Sequence, residues 1–198
     1  MTPSTLSGPP TYLVVGLGNI GKPYENTRHN VGFAALDRIA ARAGVSVTQI
    51  RFRAMINDGA RIGGARVILM KPTTLMNLSG EAVAAAANFY RIPPANIIVL
   101  CDDVNFDVGM TRIRLKGSHG GHNGLRNITD RLGSSDFPRI KIGVGKKPRP
   151  DYDLADWVLG KLPQTDLKAL DTVYDGIAHA VELLIEGRTD EAMRLYSK

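Results

Sequence analysis

Three short apolar runs constrain the fold most: YLVV at Tyr12–Val15, RVILM at Arg66–Met70 and IIVLC at Ile97–Cys101. Each is only a few residues long, rich in branched side chains and without polar alternation, which is the pattern of strands covered on both faces. Between and after them the spacing turns helical. His29–Ala43 places Val31, Leu36, Ile39 and Ala40 on one face and stops at Gly44. Gly80–Tyr90 is Ala-rich, with Asn77 or Ser79 available as its cap. Val45–Asn57 reads as one or two strands, and Met110–Leu115 and Arg139–Val144 as further ones, with a Gly-rich loop and a short helix, Leu125–Leu132, between them. The last third is helical: Thr165–Glu186 sets Leu167, Leu170, Val173, Tyr174, Ile177, Val181 and Leu184 on one stripe. With no internal repeat and no linker, this order gives an α/β fold. It is a single globular domain over residues 11–198, a mixed twisted β-sheet flanked by helices, with a helical C-terminal third.

A chain of 198 residues suits one core. No apolar run approaches the roughly 20 residues of a membrane span, so a soluble protein is expected. The first ten residues, MTPSTLSGPP, lack the basic start and apolar segment of a secretory leader and read as a flexible tail. The only cysteine, Cys101, lies in an apolar strand, which suits a reducing compartment and a buried thiol more than a nucleophile. Net charge is +6, unevenly placed. Between Gly109 and Arg149 there are ten Lys/Arg against two acids, so this segment carries +8 and the rest of the chain −2. One basic stretch on a near-neutral protein fits either a polyanion held on one face or a solvated basic surface.

The first strand runs into Gly16-x-Gly18-x-x-Gly21, the spelling of a dinucleotide-binding turn, with Asp37 at a tolerable distance for a ribose contact. Two details oppose that reading. Pro23 and Tyr24-Glu25-Asn26 extend the loop where the crossover helix should begin, and Asp37 falls in mid-helix instead of ending a second strand.

The alternative is a hydrolase. In an α/β sheet the residues just past the carboxyl ends of the strands share one crevice. Here these are Asn19, Met76-Asn77, Asp102-Asp103 and the loop Gly117–Gly124, with His29 at the mouth of the first helix. An imidazole, a carboxylate and several carboxamides suit attack of water on an ester. The neutral imidazole takes a proton, the carboxylate fixes its tautomer, and the amides orient water and stabilise the oxyanion. No G-x-S-x-G elbow exists, because Ser118 has Lys116 where the first glycine should be, so direct attack by water is expected. Each asparagine could equally be a turn or cap residue. His179 reads as a surface or packing histidine. His119 and His122 with Asp102 and Asp103 could instead ligate a metal, although H-x-x-H in a glycine loop is not a recognised zinc spacing.

GLGNIGKPYENTRHNVGF, KPTTLMNLSGEAV, DDVNFDVGMTRIR and GSHGGHNGLRNI, in this order, resemble the successive signatures of bacterial-type peptidyl-tRNA hydrolases. The similarity runs from about Tyr12 to Leu162. It implies hydrolysis of the ester joining a peptide to the 3′ ribose of tRNA, by a metal-free, cofactor-free cytoplasmic monomer with no membrane association and no obligate protein partner. It further implies that His29 is the general base and Asp102 its partner. Asn19 would separate N-blocked from free aminoacyl esters, and Asn77 and Asn123 would position substrate and water. Tyr24, Leu75, Met76 and His122 would line the groove, and Arg114 and Lys141 would grip the tRNA 5′ phosphate. The chain departs from the family at Ile20, usually Pro; at Leu75, usually aromatic; and at Asn105, often Asp. A relative that binds RNA with catalysis lost would lack His29, Asp102 or Asn19, and all three are present.

Overall fold

Alternation within each apolar run decides which layer of helices it meets. In the computed structural model, which describes residues 9–198, seven strands form one sheet: β1 (Thr11–Gly16), β2 (Gln49–Arg51), β3 (Ala54–Ile62), β4 (Ala65–Pro72), β5 (Ile97–Asp103), β6 (Thr111–Arg114) and β7 (Arg139–Gly143). Their order is β2-β3-β4-β1-β5-β7-β6, so the three apolar runs lie side by side at the centre. β4, β1, β5 and β7 run parallel, and β2, β3 and β6 are antiparallel additions at the two edges. Val14, Val67, Leu69, Ile98 and Leu100 face one core, shared with helices α1 (Val31–Arg42) and α5 (Gln164–Ile185). Leu13, Val15, Ile68, Met70, Ile97, Val99 and Cys101 face the other, shared with α2 (Ser79–Tyr90) and α3 (Asn123–Leu132). Both faces are therefore dry, which is why these strands show no polar alternation. The expected α/β class, mixed sheet and helical C-terminal region are what the chain forms, including a short α6 (Thr189–Tyr196). The expected N-terminal tail falls mostly on residues 1–8, outside those described.

Several boundaries differ from expectation. β3 continues past Asn57 to Ile62, because Asp58-Gly59 is absorbed as a bulge, with the register shifting between Asn57 and Ala60. A six-residue helix, α4 (Leu154–Leu159), was not anticipated. Asp153 caps it, accepting from the Asp156 N–H at 2.9 Å.

The glycines after β1 serve packing. A Cβ on Gly16 would lie 2.4 Å from the Gly32 carbonyl oxygen, and one on Gly32 would lie 2.4 Å from that of Leu100. Their absence lets the first turn of α1 press directly on the ends of β1 and β5. Asp37, the candidate ribose ligand, sits in mid-α1 and pairs with Lys71. The dinucleotide reading has no structural support here.

Candidate active site

Because β1, β4, β5 and β7 are parallel, their carboxyl ends open on one side, and a cleft of about 540 Å³ lies there. His29 stands at its floor in a 3-10 turn, Arg28–Asn30; α1 begins only at Val31, two residues later than expected. Neighbours on both sides immobilise that turn. The Arg28 guanidinium lies 3.5 Å from the centre of the Trp157 ring and donates to the Trp157 and Lys161 carbonyls. Asn30 clamps the backbone of Asn19: its Oδ1 accepts from the Asn19 N–H at 2.8 Å and its Nδ2 donates to the Asn19 carbonyl at 2.9 Å.

His29 Nδ1 is 2.7 Å from Oδ1 of Asp102, which is only 4% exposed at the end of β5. Facing a carboxylate, Nδ1 carries the proton and donates it, so the lone pair of the neutral ring lies on Nε2. Nε2 makes no hydrogen bond among the described residues, and His29 lines the cleft. Burial pushes the His29 imidazole toward its neutral form, but attraction and hydrogen bonding from Asp102 outweigh it and hold its pKa above the ordinary value. Burial also opposes ionisation of Asp102, and the charges and hydrogen bonds of His29 and His122 overcome it, holding the carboxyl well below its usual range.

The same oxygen receives a second imidazole, with His122 Nε2 3.0 Å from Asp102 Oδ1. The other nitrogen of His122 caps α3, accepting from the N–H groups of Gly124 at 3.1 Å and Leu125 at 3.3 Å. With both nitrogens occupied, His122 has little left to offer a substrate beyond its ring edge. Asn19 reaches across the cleft, its Oδ1 accepting from the Met76 N–H at 3.1 Å. That bond fixes the orientation of the amide and leaves Nδ2 as the free donor. Asn77, Asn123 and Leu75 are exposed and line the cleft, together with the half-buried Tyr24 and the buried Met76. Leu75 is 64% exposed, and the apolar side chains of Leu154, Val158 and Leu159 on α4 also line the cleft.

Of the catalytic and substrate-binding residues that the resemblance implies, all but Arg114 line this cleft. It lies exposed on edge strand β6, while Lys141 on β7 enters the cleft and pairs with Asp103 at 3.2 Å. Arg112 is opposite Lys141 and Arg114 opposite Arg139, so Arg114 is a diagonal neighbour of Lys141 on one face of the sheet. Asn105, one of the family departures, donates to Asp103 Oδ1 at 2.9 Å, a bond an aspartate there could not make. Arg139, counted in the basic segment, is 1% exposed and holds the carbonyls of Gly117, Ser118, Ser135 and Phe137. It therefore builds the glycine loop and adds nothing to a basic surface. Cys101 is wholly buried, and burial raises its thiol pKa far above the usual range, which rules out a thiolate nucleophile.

Sequence reading takes Thr27-Arg28-His29-Asn30 as a polar frame for the histidine, without the contacts that Arg28 and Asn30 make, and it misses α4. The cap residue Asp153 and the apolar Leu154-x-x-Trp157-Val158-Leu159 pattern were the available signals for α4. Nothing in the spacing marks Asn30 as a clamp.

The alternative metal-binding set, His119 and His122 with Asp102 and Asp103, does not come together as one group among the described residues. Among the described residues, the ligand-type atoms within 4.8 Å of one another belong to His29, Asp102 and His122. That group does not suit a metal either. A neutral imidazole ligating through Nε2 keeps its proton on Nδ1, and Nδ1 of His122 faces two backbone donors.

The family model described as peptidyl-tRNA hydrolase matches residues 13–198. The chain is 46% identical to the peptidyl-tRNA hydrolase of Clostridium botulinum (strain Hall) over 186 residues, covering 94% of this chain and 96% of that one. Its identity to the Clostridium acetobutylicum protein of the same name is also 46%, over 94% and 97% of the two chains. Among solved structures, the crystal structure of peptidyl-tRNA hydrolase from Acinetobacter baumannii superposes with a TM-score of 0.88 at 34% identity, covering 94% of each chain.

Proposed function

The chain belongs to the peptidyl-tRNA hydrolase family and hydrolyses the ester between a peptide and the 3′ ribose of tRNA, and we propose that His29 drives this step as general base on a water molecule. The observation that carries the proposal is the 2.7 Å contact from His29 Nδ1 to a buried carboxylate, with Nε2 unpaired on the cleft side. Water held against Nε2 gives up a proton as its oxygen attacks the ester carbonyl. The imidazolium that forms is stabilised by Asp102. Asn77 and Asn123 donate to the developing oxyanion without adding charge to the cleft. Collapse of the tetrahedral intermediate breaks the bond to the ribose 3′ oxygen, which takes the proton back from His29. Peptide acid and free tRNA leave, and the tRNA returns to translation.

Asn19 is assigned the choice of substrate. With its oxygen committed to Met76, only Nδ2 remains, and it can donate to a peptide carbonyl but finds no acceptor in a free α-ammonium. Leu75, Met76 and Tyr24 provide apolar contact for the peptide end, and Arg114 and Lys141 take the 5′ phosphate. The protein is further proposed to act as a cytoplasmic monomer. In support, the family serves translation and no described helix is long and apolar enough to cross a membrane. A single band of monomer mass by light scattering is the expected result.

The deciding test is His29→Ala in single-turnover assays on N-acetyl-aminoacyl-tRNA. Loss of general base catalysis should cost about 10²–10⁴-fold in rate, with tRNA binding nearly intact. An unchanged rate would end the proposal.

A further inference from the structure

We infer that His122 is a positioning residue that tunes the basicity of His29 by sharing its carboxylate oxygen. The inference rests on the assignment of His29 as the base but concerns a property of the ring that can be read without catalysis. The tautomer of His122 is set by the fold. Its Nδ1 accepts from the Gly124 and Leu125 N–H groups at the start of α3, so the proton of the neutral ring lies on Nε2. That proton points at Asp102 Oδ1 from 3.0 Å, where His29 Nδ1 already donates from 2.7 Å. One carboxylate oxygen thus serves two donors, and the rings sit 5.1 Å apart at 43°.

The arrangement has a consequence for proton affinity. A buried carboxylate facing one imidazole favours the imidazolium strongly, and a base held protonated at working pH is no base. A second donor on the same oxygen spreads the negative charge and weakens its hold on the His29 proton. Because His122 Nδ1 is committed to the helix, His122 cannot take up a proton there without losing the cap.

The other titratable groups lining the cleft do not compete for this oxygen. Asp103 pairs with Lys141 at 3.2 Å and accepts from Asn105, and His119 Nδ1 accepts from the Gly121 N–H at 3.0 Å. Tyr24 has no side-chain hydrogen bond to Asp102 among the described residues. Beyond the cleft, Arg28 faces Trp157.

The test uses His122→Ser, which keeps a side-chain oxygen at the cap position but is too short to reach Asp102. His122→Asn serves as a second cap-competent variant. NMR titration of the His29 ring should show its pKa rise in both variants, by on the order of one unit, while Tm stays near that of the parent. The acid limb of kcat/KM on N-acetyl-aminoacyl-tRNA should move up by the same amount, giving up to about ten-fold loss below the limb and recovery at high pH. An unmoved His29 titration overturns the inference, whatever happens to rate. So does a uniform loss of activity with an unmoved titration, which would mark a structural or binding role. A shifted titration with an unshifted rate profile would instead uphold the role of His122 and count against His29 as the base.

Discussion

At the scale of single residues, the chemistry reduces to where three protons sit. Asp102 holds His29 in the tautomer with a free Nε2, so Asp102→Asn should leave the fold intact and remove the rate. A carboxamide can donate to Nδ1, which would place the ring's own proton on Nε2, the nitrogen needed as acceptor. The expected outcome is a kcat loss of about 10³-fold or more with little change in KM, measured by steady-state hydrolysis of N-acetyl-aminoacyl-tRNA. The pH dependence follows from the raised pKa of His29. With His29 as the proposed base the neutral ring is the active form, so activity should fall as pH drops through a value above the ordinary histidine one, and the acid limb should lie above about 6.5. For stability the sign is opposite. A raised folded-state pKa contributes below the unfolded pKa, and that contribution fades as pH rises through the folded one. An acid limb at or below 6.5 would show that burial outweighs Asp102 in solution. The residue types of the candidate site were legible in sequence because an imidazole, a carboxylate and carboxamides followed strand ends. Their supports were not. Asn30 contacts Asn19 through the latter's backbone, and backbone contacts leave no compositional trace.

At the scale of elements, the least legible piece borders the site most closely. Helix α4 has six residues, too few for a helical period to stand out from a loop. Its position is set by the stack of Trp157 against Arg28, by the Trp157 Nε1 bond to the Gly145 carbonyl at 3.0 Å, and by the Arg28 N–H donating to the Gly160 carbonyl. One face of this latch is therefore the residue preceding His29. Trp157→Ala should cost about 1–2 kcal/mol of stability, less than a fully buried aromatic because Trp157 is only partly buried. It should also raise KM for the peptidyl substrate several-fold, since Leu154, Val158 and Leu159 would no longer be held over the cleft. Denaturant melts and steady-state kinetics check both, and a KM unchanged at reduced stability would separate α4 from substrate binding. The late start of α1 has a related cause. Helical periodicity was continuous from His29, but the Asn30 side chain is committed to Asn19 and the chain before Val31 closes as a 3-10 turn. The β3 boundary failed for another reason: Asp-Gly is a turn signal, and here the sheet keeps it as a bulge.

At the scale of the whole molecule, the question is how much of the +8 segment faces the polyanion. Structure trims it. Arg139 is internal, Arg131 pairs with Glu81 at 3.0 Å, and Lys147 is bound to the carbonyls of Pro150 and Tyr152. Arg114, Lys116, Arg126 and Lys146 remain exposed without an acidic partner among the described residues. Charge counting marked a stretch of chain but could not tell an arginine that builds a loop from one that faces solvent. Arg114 is on the outermost strand and outside the cleft, so its effect should depend on how much tRNA the substrate carries. Arg114→Ala should raise KM on full-length N-acetyl-aminoacyl-tRNA and leave a minimal 3′-end substrate almost unaffected, with kcat preserved on both. It should also flatten the dependence of log affinity on log salt concentration by close to one unit, the signature of one lost phosphate contact. Equal KM losses on long and short substrates, with an unchanged salt slope, would move Arg114 from phosphate recognition to maintenance of the sheet edge, where it faces the buried Arg139.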